Sequence, residues 1–350
     1  MTTKTFQFEM KTIQGNEEHI IDVQPIINES NKFLILTTTR KIIELDTNEN
    51  VFKELFVFDN EEIVFEEKVS LLVSPNAELI TVYNTFGRQG IVIDISSMKT
   101  IMRFNRDDYH YEQTIFPVAF VNYNAQLLLI HGTKWNRLDI TNPIDNQALT
   151  DRDDPKFQLT QSKSIRSEHY LDYFHGQLVV SPDNKWIVDN GWVWHPMGCV
   201  TGWSIHEWIE NRWESEDGMS KKDLWCEKED WNDPLCWISD NEIGLVGRNN
   251  YDFIDGDEPH GWIFRVMNVE TGNIVKEFPI SSGNIFIDTY LFSCLKETGI
   301  KIYDLNSGIL LFEDEKINPD NYHHKSKEFI GFDNEQIMVY KLIEEECNCS

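Results

Sequence analysis

Ser74-Pro75-Asn76-Ala77-Glu78-Leu79-Ile80-Thr81-Val82 opens a segment that reaches Ile93-Asp94-Ile95-Ser96 after one further turn, and its reading decides the fold. It contains two kinds of punctuation. The first is a polar turn followed by a short apolar run, a place where Ser, Pro, Asn and Asp close the chain through side-chain bonds and a preset φ. The second is a strand that ends in a carboxylate and turns into another strand. Working outward, the first kind recurs at Asn28-Glu29-Ser30-Asn31, Asn122-Tyr123-Asn124-Ala125, Ser181-Pro182-Asp183-Asn184, Ser239-Asp240-Asn241-Glu242 and Phe332-Asp333-Asn334-Glu335. The second recurs at Leu45-Asp46-Thr47, Leu138-Asp139-Ile140, Met267-Asn268-Val269 and Tyr303-Asp304-Leu305-Asn306-Ser307-Gly308, with an amide at Asn268 where the others carry a carboxylate.

The two signals alternate, so each unit holds four short strands. Asp46 and Asp94 lie 48 residues apart, and Asp94 and Asp139 lie 45 apart. Six first turns are clear, and a seventh unit at 283–315 has a poorer one near Asp288. Four-strand units of roughly 40–50 residues are the signature of propeller blades. The expected fold is therefore all-β, a single seven-bladed β-propeller of four-stranded antiparallel blades. Its blades are placed near 18–58, 62–106, 112–147, 170–213, 233–280, 281–315 and 322–345, with 347–350 a short tail. The last unit offers two evident strands, 328–332 and 336–342, while the alternating segment 4–13 has no blade of its own. Pairing the two would complete the last blade and remove two exposed sheet edges.

Ser181-Pro182-Asp183 and the run Asp304-Leu305-Asn306-Ser307-Gly308 resemble the turns of WD40-like propellers. Asp172-Tyr173-Phe174-His175-Gly176 and Asn190-Gly191-Trp192-Val193-Trp194-His195-Pro196-Met197-Gly198 resemble segments of uncharacterised bacterial propeller proteins. The resemblance implies the same fold and carries no activity.

Composition narrows the partners. The 350 residues carry 59 acidic against 31 basic side chains, a net charge of −28. Such a field repels phosphate backbones, so nucleic acid is not expected; it favours solubility or a basic partner. No apolar run approaches the ~20 residues of a bilayer span, and 1–14 lacks the apolar core of a signal peptide. A monomeric cytoplasmic protein without membrane association or cofactor is expected. The six cysteines (Cys199, Cys226, Cys236, Cys294, Cys347, Cys349) follow no disulfide or zinc spacing, which suits free thiols in a reducing compartment. Cys347 and Cys349, beside Glu344, Glu345 and Glu346, read as a soft-metal pair or as two free thiols at a terminus.

Long insertions are expected at 105–114, 148–173, 190–198, 214–233 and 248–261, all on second-to-third or blade-to-blade connections around blades 3 to 5. Loops on a rigid scaffold are where binding residues usually reside. Ten of the eleven tryptophans fall between Trp186 and Trp262. Trp208 and Trp213 suit a short helix begun by Ser204, with Glu207 at capping-box spacing. Trp192, Trp194, Trp225 and Trp231 are expected in loops, either as contact hot spots or packing those loops together. With His175, His195, Asp255 and Asp257 they make up the candidate partner surface.

Three functions fit. In the first, a non-catalytic scaffold offers an acidic, tryptophan-rich face to a protein or basic peptide; the segment 214–233 adds eight acidic against three basic residues to that face. In the second, His175 and His195, with His169, Asp172 and Asp189 nearby, serve a hydrolase or lyase, although no metal-binding, nucleophile-elbow or phosphate-loop motif is present and no catalytic residue is assigned. In the third, stacked tryptophans hold a small ligand or glycan. Asp252, Asp255, Asp257 and Glu258 surround Gly256 and could hold Ca²⁺, although solvated acidic loops are commoner.

Overall fold

The structure, a computed structural model, describes residues 2–14, 18–58, 63–153, 158–160, 163–165, 168–194, 196–248, 261–333 and 336–348. Their strands form seven four-stranded antiparallel sheets, the blades of a β-propeller, and one two-stranded hairpin, Gln158–Thr160 with Lys163–Ile165. The expected fold class stands.

The turns work as their residue types require. Asp46 Oδ1 accepts from the N–H groups of Asn48 and Glu49 at 2.9 and 3.1 Å, and Asp304 Oδ1 accepts from Asn306 and Ser307 at 3.1 and 2.7 Å. Strands ending at Asp46 and Asp304 thus turn on their own side chain. Asp139, expected as another such strand end, instead lies mid-strand and accepts from Arg137 and Arg152. The turn there is made by Asn142, whose Oδ1 accepts from Ile144 N–H at 3.0 Å. Ser74 Oγ and Ser181 Oγ each accept from a backbone N–H five residues on, Leu79 and Trp186, both at 2.9 Å. Ala77 and Asn184 take the left-handed φ (55° and 61°) that closes these two turns, as Asn31 (62°) does in the turn of blade 1.

Two compact units are present. The first comprises Met1–Tyr83, Ile91–Thr100 and Ile280–Ser350. It contains blade 1 (Ile20–Pro25, Lys32–Thr37, Lys41–Asp46, Val51–Val57) and blade 6 (Asn284–Ile287, Tyr290–Leu295, Gly299–Asp304, Leu310–Asp314). Phe33, Leu34, Ile35 and Leu36 are all buried, because both faces of the strand pack against apolar neighbours. This is why such strands read as unbroken apolar runs. Blade 7 consists of Asn321–His323, Glu328–Asp333 and Gln336–Asn348, and Thr2–Gln14 pairs antiparallel along the whole of the last. The amino-terminal strand therefore completes this blade, which also contains a third strand, 321–323, that the apolar pattern did not reveal.

The second unit comprises Asn84–Gly90 and Ile101–Pro279. It contains blade 3 (Val118–Tyr123, Gln126–Lys134, Arg137–Asn142, Gln147–Ala148), blade 4 (Phe174–Val180, Trp186–Val193, Met197–Ser204, Lys222–Lys228) and blade 5 (Leu235–Trp237, Glu242–Gly247, Ile263–Asn268, Asn273–Pro279). The strands Val69–Val73, Leu79–Asn84, Gln89–Asp94 and Lys99–Asn105 of blade 2 are divided between the two units.

Blade 4 corrects three expectations. It runs to Lys228, not 213, because two helices precede its outer strand: α1 (Ile205–Glu210) and α2 (Glu214–Asp217). Ser204 caps α1 by accepting from Glu207 N–H at 3.2 Å, and Trp208 is fully buried beneath it, as the spacing implied. Ser204 N–H, however, donates to Ser220 Oγ (2.9 Å) in place of a reciprocal capping box, and Trp213 lies beyond α1, ahead of α2. Lys221 Nζ then donates to the carbonyls of Ser215 and Glu216. The segment 214–233 is therefore largely helix and strand, and a long insertion falls on a third-to-fourth connection. Likewise 190–198 is the end of one hairpin, so Trp192 lies in a strand, as does Trp225. Lastly, Cys199 and Cys226 are directly opposed on adjacent strands and joined as a disulfide, against the expectation of free thiols. Cys236 and Cys294 are free.

Candidate functional site

Segment 106–117 of the second unit is pinned by one buried cation. The Arg106 guanidinium donates to Gly87 O (2.9 Å), Tyr111 O (2.6 Å), Thr114 O (3.0 Å) and Thr114 Oγ1 (3.1 Å), and lies 4.9 Å from the Phe116 ring. Burial pulls its pKa down to about 10. The segment holds out Tyr109 and His110, the latter in left-handed conformation ahead of the 3-10 turn Tyr111–Gln113. Trp135, in a hairpin turn of blade 3, donates its N–H to Asp107 Oδ1 (2.9 Å) and accepts from His175 N–H (3.0 Å), which sets Phe174 against its ring at 4.4 Å.

On this base four rings stack in series. Trp231 lies 5.1 Å from Trp192 at 23°, Trp192 lies 4.0 Å from Phe174 at 13°, and Phe174 lies 5.8 Å from Tyr109 at 20°. Trp194 stands edge-on to Trp192, Phe174 and His110, each at 5.4 Å. Both geometries suit aromatic quadrupoles. Trp231 Nε1 donates to Gln113 O at 2.7 Å, and Asn232 Nδ2 reaches the same carbonyl at 3.2 Å. Phe174 and Trp192 are buried, while Tyr109 and Trp194 are each 44% exposed, so the assembly has a closed base and an open top. Exposed Asp108, Glu112 and Asp230 flank it in sequence.

Beneath the rings the polar groups are only partly satisfied by one another: His175 Nε2, Trp192 Nε1 and Asp233 Oδ2 are buried without a hydrogen-bond partner within the protein. Asp189, wholly buried, accepts from Gly176 N–H at 3.0 Å and is bonded to His175 Nδ1 at 2.5 Å. The strands approach so closely here that a Cβ on Gly191 would meet Phe174 O and the Tyr173 ring. Asn190 Nδ2 donates to Asp233 O at 2.7 Å, and buried Lys228 lies 3.6 Å from the Asp233 carboxylate. Burial pushes Asp233 up to about 6 and draws Lys228 down.

The structure thus brings together Trp192, Trp194 and Trp231 of the candidate residues, with His175 at their base. His175 has a side chain 1% exposed and engaged by Asp189, so it is closed to solvent. Trp225 sits elsewhere: it is buried in the outer strand of blade 4, under the Arg265 guanidinium at 4.0 Å. His169 bonds Asp217 and stacks on Trp213 at 4.5 Å, away from the tryptophan stack. His195, Asp252, Asp255, Asp257 and Glu258 lie outside the described residues, and so does Cys349 of the tail pair. Sequence reasoning missed Tyr109, His110, Trp135 and Phe174 as members. The aromatic density of Tyr109-His110-Tyr111 within a long connection was the available signal.

No helix among the described residues is long and apolar enough to cross a membrane. No protein-family model and no curated protein matches the chain. Among solved structures it is similar to the computationally designed Ika8 protein, with 14% identity, 92% of this chain and 80% of that chain covered, and a TM-score of 0.51. At that identity the likeness concerns the fold alone.

Proposed function

We propose that the chain is a non-catalytic binding scaffold of WD40-like type, acting in the cytoplasm, whose contact surface is the Tyr109–Trp194 aromatic platform and whose partner is a basic peptide segment. One observation carries this reading: a continuous stack of rings, rigidly seated, with two large aromatics left open. A preset aromatic surface loses little side-chain entropy on binding, which is why such residues dominate contact energies. The flanking carboxylates and the net charge of −28 supply the complement for Arg and Lys, whose cations also favour ring faces.

The test uses a labelled, tryptophan-free decapeptide of alternating Arg and Leu, and its Glu/Leu counterpart, titrated by fluorescence anisotropy. The basic peptide should bind, weaken with added salt, and lose about tenfold or more in affinity (on the order of 1.4 kcal/mol) with Trp194→Ala/Tyr109→Ala. Equal binding by the variant, or of the acidic peptide, would refute the assignment.

A further inference from the structure

Cys199 and Cys226 occupy facing positions on the third and fourth strands of blade 4, with their Cα atoms 4.0 Å apart. Asp223, three residues before Cys226 on the outer strand, places a carboxylate oxygen within 4.8 Å of both sulfurs. Cys199 is buried, Cys226 half-buried and Asp223 exposed, so the group is walled on one side and open on the other. The strand carrying two of the three groups is an edge strand of its sheet, and the half-buried Cys226 is the sulfur a reductant would meet first.

We propose that these residues form a redox-gated site for a zinc-class divalent cation. In the oxidised chain the sulfurs are bonded to each other and have no charge to offer. Reduction by a dithiol breaks the S–S bond: two electrons and two protons pass to Cys199 and Cys226, and the dithiol leaves as its own disulfide. The cation then takes the two sulfurs as thiolates, both thiol protons go to solvent, and Asp223 provides the third donor. An S₂O set suits a borderline-soft ion of tetrahedral preference over the oxygen-seeking Ca²⁺ or Mg²⁺, and the open side leaves the fourth position to water.

Packing beside the pair supports the opposed geometry in addition to the covalent bond. The next residues in register, Val200 and Trp225, are both buried, and Trp225 is covered by Arg265 at 4.0 Å and Lys228 at 5.7 Å. The strands thus hold the two thiols face to face once the bond is open, and little ordering remains for the cation to impose. Since the cation binds only the reduced form, it also shifts the thiol–disulfide balance. A hundredfold excess over its dissociation constant favours the dithiol about a hundredfold, equivalent to roughly 59 mV.

The experiment uses the full chain with Cys347→Ser and Cys349→Ser, which removes the tail pair. Thiol titration of the denatured protein should give two free thiols when oxidised and four after reduction, from the four remaining cysteines. Co²⁺ added to the reduced protein should bind one equivalent with a thiolate charge-transfer band that Zn²⁺ displaces. The band should vanish with Cys226→Ser and on reoxidation of the unsubstituted pair, a contrast that needs no variant to fold, while Asp223→Asn should weaken binding about tenfold or more. A reduced, folded protein without the band overturns the proposal, as does a band that survives Cys226→Ser or reoxidation. Unchanged affinity in Asp223→Asn overturns the three-donor assignment.

Discussion

Replacing Arg106 with methionine keeps the apolar stem and deletes the guanidinium that pins segment 106–117. Three of its four acceptors, Gly87 O, Thr114 O and Thr114 Oγ1, are in buried surroundings, while Tyr111 O is nearer solvent and can turn to water. An acceptor stranded without a donor costs about 1–3 kcal/mol, so three cost roughly 6 at the middle of that range. Against this, the variant no longer buries a cation. The burial that draws Arg106 down to about 10 corresponds to about 3 kcal/mol of destabilised charge. The balance is a loss of about 3 kcal/mol, read from urea unfolding followed by circular dichroism. Because the cost falls on one segment, amide exchange at 107–116 should rise before exchange in the strands of blade 3. Arg106→Lys, with charge but no planar fork, should fall between variant and parent. A methionine variant within about 1 kcal/mol of the parent, with protection of 107–116 unchanged, would show that the ring stack and not the cation holds the segment.

Gly191→Ala puts a methyl group onto Phe174 O and the Tyr173 ring; separating the strands should cost about 3 kcal/mol or more and shift tryptophan emission to the red, and a parent-like spectrum and midpoint would contradict the close approach. Burial lowers His131 to about 4, so it stays neutral in the folded chain while the unfolded chain takes up a proton near pH 6.5. Its contribution is intact above pH 6.5 and is lost as pH falls toward 4, about 3 kcal/mol in total. His131→Gln should flatten that part of the stability–pH curve, and parallel curves would exclude the residue as its source. Ser204→Ala removes the acceptor for Glu207 N–H at 3.2 Å and should cost about 1 kcal/mol in thermal or urea unfolding, whereas no change would mean that burial of Trp208 alone holds α1.

The blades were legible because their turns are local. An Asp that ends a strand and accepts the next N–H groups is visible as Asp46, Asp94 or Asp304 without knowledge of any distant contact. Blade 4 was misread where local pattern and tertiary role diverge. Its helical insertion, 205–217, is as rich in tryptophan as the strands around it, and its outer strand, Lys222–Lys228, has the charge of a loop because it has only one neighbour in its sheet. The Cys199–Cys226 pairing depends on a register with irregularities on both sides of it, which no cysteine spacing encodes. The platform was half legible. Its tryptophans stood out by number, but Tyr109, Trp135 and Phe174 join them only when segments around three successive blades meet.

The pairing of Thr2–Gln14 with Gln336–Asn348 also bears on how the molecule is made. Each partner pair in that ladder is separated by more than 320 residues, the kind of non-local contact that slows folding. At roughly 5–20 residues per second, the first strand waits about 15–65 s on the ribosome before its partner exists. During that interval an alternating β-strand is unpaired along its length and open to pairing with a second nascent chain. Glu9 falls between Phe8 and Met10 and Lys11 between Met10 and Ile13, so charge interrupts the apolar positions in a way that discourages premature edge-to-edge association.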